Sequence, residues 1–282
     1  MSDFTGIIKN FTAWGSSCKN LRAAIIIGSQ ARTDDPADAY SDLDLLLLAD
    51  DPEYFLASDK WLEQIGHYHI SFTEDTLGGA KEKRVLFDGA LDVDFNILTK
   101  DAMHAAIQNG QAAGILGRGY RVLLDKDGFA ASLPPVTGAS RAFAMPSEKE
   151  FLNTANDFWY HMVWAAKKLK RGELWTAKAC LDCHANWRLL SMIEWYSRAV
   201  HGISYDTWHN GRYLEKWAEG WIIEKLARIF SRYDKEDIIS SLVAAMELFR
   251  RIAIDVAEKL GFEYPESADK FVSDWINKEL RL

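Results

Sequence analysis

Two different periodicities divide the 282-residue chain. In its first half, short apolar runs alternate with polar turns. Residues 21–28, 43–49, 67–72, 84–87, 91–98 and 120–124 have strand length and composition and are bounded by Gly, Asp or Asn. Residues 4–17, 52–65 and 100–109 carry helical patterns between them. From Ser147 onward the period is helical almost throughout. Ser147-Glu148-Lys149-Glu150 predicts a capping box, in which the serine accepts an early backbone N–H and the glutamate reaches back. Phe151, Ala155, Phe158, Met162, Ala165 and Leu169 then repeat at helical spacing, and Gly172 closes that helix. Further helices are predicted over residues 175–200, ending at Gly202, and over 212–230, 235–260 and 268–280. Leu133-Pro134-Pro135 and the following Val136 to Ser140 predict a linker, because both prolines interrupt regular structure. The expected class is therefore α+β, with a mixed-sheet domain over residues 1–145 and a helical bundle over 146–282.

Composition narrows the function classes. Hydrophobic residues make up 48% and charged residues 26%, as in an ordinary globular protein, and no apolar run reaches membrane-spanning length. Residues 1–10 lack the basic start and apolar core of a signal peptide, so a cytoplasmic location is expected. The net charge is −8; residues 1–145 carry 13 Lys/Arg against 20 Asp/Glu, and the rest 20 against 21. Neither half offers the positive stripe of a nucleic-acid surface, and an acidic first half repels a phosphate backbone. It suits a cationic small substrate better. Cys180-Leu181-Asp182-Cys183-His184 spells a haem-attachment pattern, but nothing in the sequence points to export, and the two cysteines are expected to pack in or beside a helical core.

The chemistry concentrates near the start. An apolar run ends at Gly28-Ser29-Gln30-Ala31-Arg32, and the next opens with Ser41-Asp42-Leu43-Asp44. Glycine lets the backbone approach a phosphate closely, and serine adds a hydroxyl and an N–H. On a strand, Asp42 and Asp44 face the same way, while Leu43 and Leu45 face the other. Two adjacent carboxylates are costly without a cation, and hard oxygen ligands of this kind suit Mg²⁺. Read alone, Asp-x-Asp also suits a solvated turn. A further strand, Leu91-Asp92-Val93-Asp94-Phe95-Asn96-Ile97-Leu98, embeds Asp92 and Asp94 in an apolar alternation, which favours a metal site over a merely wet face.

Gly-Ser followed by Asp-x-Asp, and then a strand carrying apolar-Asp-apolar, resembles the DNA polymerase β-like nucleotidyltransferase superfamily. Within it the chain resembles the aminoglycoside 6-adenylyltransferase (streptomycin adenylyltransferase) family. The segments that carry this are Gly117 through Asp127, Phe158-Trp159, Ala177 through Asp182, Met192-Ile193-Glu194-Trp195 and Gly211-Arg212-Tyr213-Leu214. The resemblance implies that Gly28 and Ser29, with Arg32 beside them, hold the phosphates of ATP. It implies that Asp42 and Asp44 bind Mg²⁺ and that Asp94 completes the metal site and serves as base. Asp92 ranks second for that role; the family pattern often has a basic residue there. Asp92 is also a candidate substrate contact.

The implied reaction is transfer of AMP from ATP to a hydroxyl of a streptomycin-like aminoglycoside, releasing pyrophosphate and conferring antibiotic resistance. The alternatives are another small hydroxylic compound, such as a lincosamide, or a protein side chain. In the helical half, Lys178 is a candidate for the triphosphate and Asp182 for an ammonium of the drug. A simple i,i+4 ion pair explains both residues equally. Arg212 and Lys216 are candidate phosphate ligands at an expected helix start, or else a solvated basic turn. Trp159, Trp164, Trp175, Trp187, Trp195 and Trp217 are expected mostly in the core. His67 and His69 alternate on a strand, and without a third ligand in view they are expected to be exposed strand residues.

Overall fold

The structure is a computed structural model and describes residues 3–32, 36–76, 81–138 and 144–281. It divides into two compact units, residues 1–142 and 143–282. The linker expected over 133–140 is described as far as Gly138, and its last two residues lie outside the described residues.

The first unit runs α1 (Thr5–Ser17), β1 (Leu21–Ile27), β2 (Leu43–Ala49), α2 (Glu53–Leu56), β3 (Tyr68–Asp75), β4 (Lys81–Phe87), β5 (Leu91–Leu98), α3 (Lys100–Gln108), α4 (Gln111–Leu116) and β6 (Arg121–Asp125). The six strands form one sheet in the order β3-β4-β5-β2-β1-β6. β2 and β5 run parallel, and the other neighbours run antiparallel, so the sheet is mixed. Strand alternation sorts the side chains onto two faces. Leu43, Leu45, Leu47, Val93, Phe95 and Ile97 pack with Phe4, Ile7 and Phe11 of the N-terminal segment and α1. Leu46 and Leu48 face the other way, toward Met103 of α3 and Leu116 of α4.

Residues 52–65 do not form the single helix expected of them. α2 stops at Leu56, and a 3-10 turn, Leu62–Gln64, follows. Tertiary packing breaks the pattern. The indole N–H of Trp61 donates to the Phe55 carbonyl at 3.0 Å. Asp59 turns to pair with Lys83 of β4, which is only 2% exposed. A buried ammonium needs such a partner, and a continuous helix does not supply this geometry.

The second unit runs α5 (Glu148–Lys170), α6 (Leu174–Ala179), a π-helical segment (Cys180–Ala185), α7 (Asn186–His201), α8 (Leu214–Trp217), α9 (Gly220–Leu226), α10 (Lys235–Leu260) and α11 (Glu266–Leu280). The capping box at Ser147 and Glu150 is present in full. Phe158 of α5 stacks on Phe249 of α10 with ring centroids 3.8 Å apart, at the centre of an apolar core drawn from α5, α7 and α10. Trp159 and Trp217 belong to that core and Trp164 and Trp195 pack against it, as expected of most of these residues, while Trp175 and Trp187 are 76% and 49% exposed. Both stand on the outer faces of their helices. The helix expected over 212–230 starts late, because Asn210, Gly211 and Tyr213 adopt positive φ, and it is split in two by the extended backbone of Ala218 and Glu219.

Candidate active site

The site begins where β1 runs out of apolar residues. Gly28 adopts a φ of +67°, and a Cβ built on it would lie 2.1 Å from Asp44 Oδ2. Only glycine fits there, for reasons of backbone conformation and of space. The antiparallel register of β1 and β2 sets Ile27 opposite Asp44 and so brings the bend to that carboxylate. A 3-10 turn follows (Gly28–Gln30), in which the Ala31 and Arg32 N–H groups donate to the Gly28 carbonyl at 3.1 Å each. Ser29 is 6% exposed, and its Oγ lies 3.5 Å from the Asp42 carbonyl oxygen. Gly119 (φ +142°) backs onto this turn: a Cβ there would meet the Ala31 carbonyl at 2.8 Å.

The parallel pairing of β2 and β5 sets Asp44 beside Asp94. Both point away from the Leu43–Phe95 core, on the face that α3 and α4 cover farther along the strands. Asp42 precedes β2 by one residue. One carboxylate oxygen from each of Asp42, Asp44 and Asp94 lies within 4.8 Å of the other two. Asp92 shares their face but is exposed and lies outside the trio.

Among the described residues, the cation facing Asp94 is Arg84 of β4, its register partner, with Nε 3.7 Å from Asp94 Oδ2. Arg84 is shared with Glu82 at 2.5 Å and Glu74 at 3.1 Å. Burial pushes the Asp94 carboxyl up to about 6; Arg84 offsets part of this, and Glu82, Asp42 and Asp92 add to it. Three partly buried carboxylate residues that each turn an oxygen to a common space form the donor set that a hard divalent cation satisfies. The cradle fits Mg²⁺: it is all oxygen, and Gly28 opens the space beside Asp44.

The sequence did not single out Arg84, Glu82 or Gly119. Lys81-Glu82-Lys83-Arg84 reads as a charged edge, and only the β4–β5 register shows that Arg84 meets Asp94. The second glycine of Gly117-Arg118-Gly119 was the available signal for close backbone approach.

The remaining candidates lie in the second unit. The ammonium of Lys178 pairs with Asp182 Oδ2 at 2.7 Å and donates to the Ser231 carbonyl at 2.6 Å, the i,i+4 pair weighed from the sequence. Asp182 Oδ1 is shielded from solvent and has no hydrogen-bond partner among the described residues. Arg212 precedes α8, and its carbonyl accepts the Trp217 indole N–H at 2.9 Å. Lys216 lies in the last turn of the four-residue α8, over the Tyr213 ring at 4.2 Å. The helix N-terminus expected to support these two residues does not form at Arg212. His67 and His69 do find a third partner, which the sequence did not show: Asp88 Oδ1 lies 3.0 and 2.8 Å from their ring nitrogens. All three are exposed. Cys180 is buried and Cys183 exposed.

Comparison with known proteins gives a consistent result. The model of the family described as streptomycin adenylyltransferase matches residues 1–279. An aminoglycoside 6-adenylyltransferase of Campylobacter jejuni is 24% identical over 279 residues, covering 97% of this chain and 93% of its own. Another from Bacillus subtilis (strain 168) is 25% identical over 255 residues, covering 88% of each chain. A solved aminoglycoside 6-adenyltransferase from Bacillus subtilis aligns over 99% of this chain and 98% of its own, with 20% identity and a TM-score of 0.48.

Proposed function

The chain belongs to the streptomycin adenylyltransferase family and is a nucleotidyltransferase, and on that premise we propose that it transfers AMP from ATP to a hydroxyl of a streptomycin-like aminoglycoside, with Mg²⁺, and so confers resistance. The convergence of Asp42, Asp44 and Asp94 beside the Gly28 bend carries this reading.

Each residue has a physical task. The Gly28-Ser29 bend lets phosphate oxygens approach the backbone, and the Ser29 hydroxyl is a donor to them. Asp42 and Asp44 hold the divalent ion. When bound, Mg²⁺ neutralises phosphate charge and orients the triphosphate. Asp94 accepts the proton of the attacking hydroxyl. The hydroxyl oxygen bonds to the α-phosphorus, the bond from that phosphorus to the bridging oxygen breaks, and pyrophosphate leaves. Without a metal, burial sets the Asp94 carboxyl at about 6, near the range in which a general base works best. A bound cation lowers it, so Asp94 acts better as a positioned acceptor than as a strong base. Asp92, exposed on the same face of the sheet, is assigned to the cationic drug.

The test is pyrophosphate release from ATP and Mg²⁺ with a panel of aminoglycosides and lincosamides. Release with streptomycin that disappears in Asp44→Asn supports the proposal. Release with lincosamides alone, or labelling of a protein in place of a drug, overturns the substrate class.

A further inference from the structure

The second unit holds a cluster of a different chemical kind. His161 of α5 lies one turn after Asp157, and its Nδ1 is 2.8 Å from Asp157 Oδ1. His184 comes from the π-helical segment, and its Nε2 is 3.0 Å from the same oxygen. The two imidazoles face each other with ring centroids 3.8 Å apart. Two ring nitrogens and one carboxylate oxygen thus lie within 4.8 Å of one another, and His161 Nδ1 is also 2.9 Å from the Asp157 backbone carbonyl oxygen.

Three features set this cluster apart from an ordinary ion pair. Arg188 donates to Asp157 Oδ2, which anchors the carboxylate and turns Oδ1 toward the imidazoles. The π segment, where the sequence alone predicts plain helix, interrupts the helical run and delivers His184; such bulges recur at functional sites. His161 and His184 line a cleft of about 480 Å³, walled by Trp164 and Trp175.

We propose that Asp157, His161 and His184 form a transition-metal site that takes an ion of the zinc class and ties α5 to the π segment. Two imidazoles with one carboxylate suit zinc and its neighbours, whereas the all-carboxylate cluster of the first unit suits a hard ion. Three protein ligands leave a fourth position for water, on the side of the cleft. The exposed trio His67, His69 and Asp88 has the same donor set, but it stands in open solvent, and among the described residues the Asp88 carboxylate meets only the two imidazoles.

The experiment uses the full chain, stripped with EDTA and titrated with Zn²⁺ by calorimetry in excess Mg²⁺. One equivalent of Zn²⁺ is expected for the native chain and for His67→Ala and Asp44→Asn. That equivalent should be lost in His161→Ala and in His184→Gln, and weakened about tenfold in Arg188→Gln, which frees the carboxylate from its anchor. Co²⁺ added to the stripped native chain should give the visible spectrum of a low-coordinate nitrogen–oxygen site, a readout that does not depend on a variant folding. No tight equivalent in the native chain, retention in both histidine variants, loss in His67→Ala or Asp44→Asn, or a Co²⁺ spectrum of the hydrated ion overturns the proposal.

Discussion

Each unit buries an aspartate, and the two are treated in opposite ways. Asp269 of α11 is 6% exposed, and burial alone would raise its carboxyl. Arg250 meets it with two bonds of 2.6 Å, Tyr264 donates at 2.7 Å and Ser273 at 2.9 Å, and together they hold it below the usual carboxylate range. Asp94 has one shared guanidinium at 3.7 Å and acids for its other neighbours, and it is pushed up to about 6. A buried carboxylate supplied with donors is an architectural tie. One left among like charges is a place where a bound cation is electrostatically favoured.

The sharpest break of that comparison is Asp44→Asn. Adenylyl transfer should fall on the order of a thousandfold with the fold intact by circular dichroism, because the variant removes a carboxylate from the proposed ion site. Asp269→Asn should do the reverse. It leaves Arg250 half-buried without its counter-ion and should cost about 3 kcal/mol of stability in chemical denaturation. Near-native stability there would mean that Asp269 is not a tie at all. Next comes Gly28→Ala, whose methyl meets the Asp44 carboxylate in a backbone conformation that alanine rarely adopts. Activity should drop roughly a hundredfold, since displacement by about an ångström suffices for that.

The smallest effect is a pH dependence. The folded carboxyl of Asp94 titrates near 6, above its ordinary value, so the native state holds the proton more tightly than the unfolded chain. Its stabilising contribution is complete below about pH 4 and is lost as pH rises through 6. Metal-free protein should lose about 2 kcal/mol over that interval, and Asp94→Asn should not show the loss. Millimolar Mg²⁺ should flatten the slope in the native chain. A slope unchanged by Mg²⁺ would remove the ion from this cluster.

The strands that position the site were legible because their patterns are local. Residues 43–49 and 91–98 are strands with the predicted bounds, and the capping box at Ser147 forms as read. Elements that depend on distant partners were not legible in this way. The expected helix over 52–65 yields to Trp61 and to the pairing of Asp59 with Lys83, and the expected helix start at Arg212 yields to a run of positive-φ residues.

Sequence alone determined which residues alternate with which, and hence that Asp42 and Asp44 share a face, that Asp92 and Asp94 share another stretch of strand, and that a glycine precedes them. Side-chain period follows from backbone geometry within a single strand, and no partner is needed to set it. Only the tertiary structure decided that β2 lies parallel to β5 with Asp44 beside Asp94, that Arg84 stands across from them, and that His161 and His184 close on one oxygen of Asp157. Strand register and helix packing are set by the joint burial of many distant side chains, and no single segment carries that information.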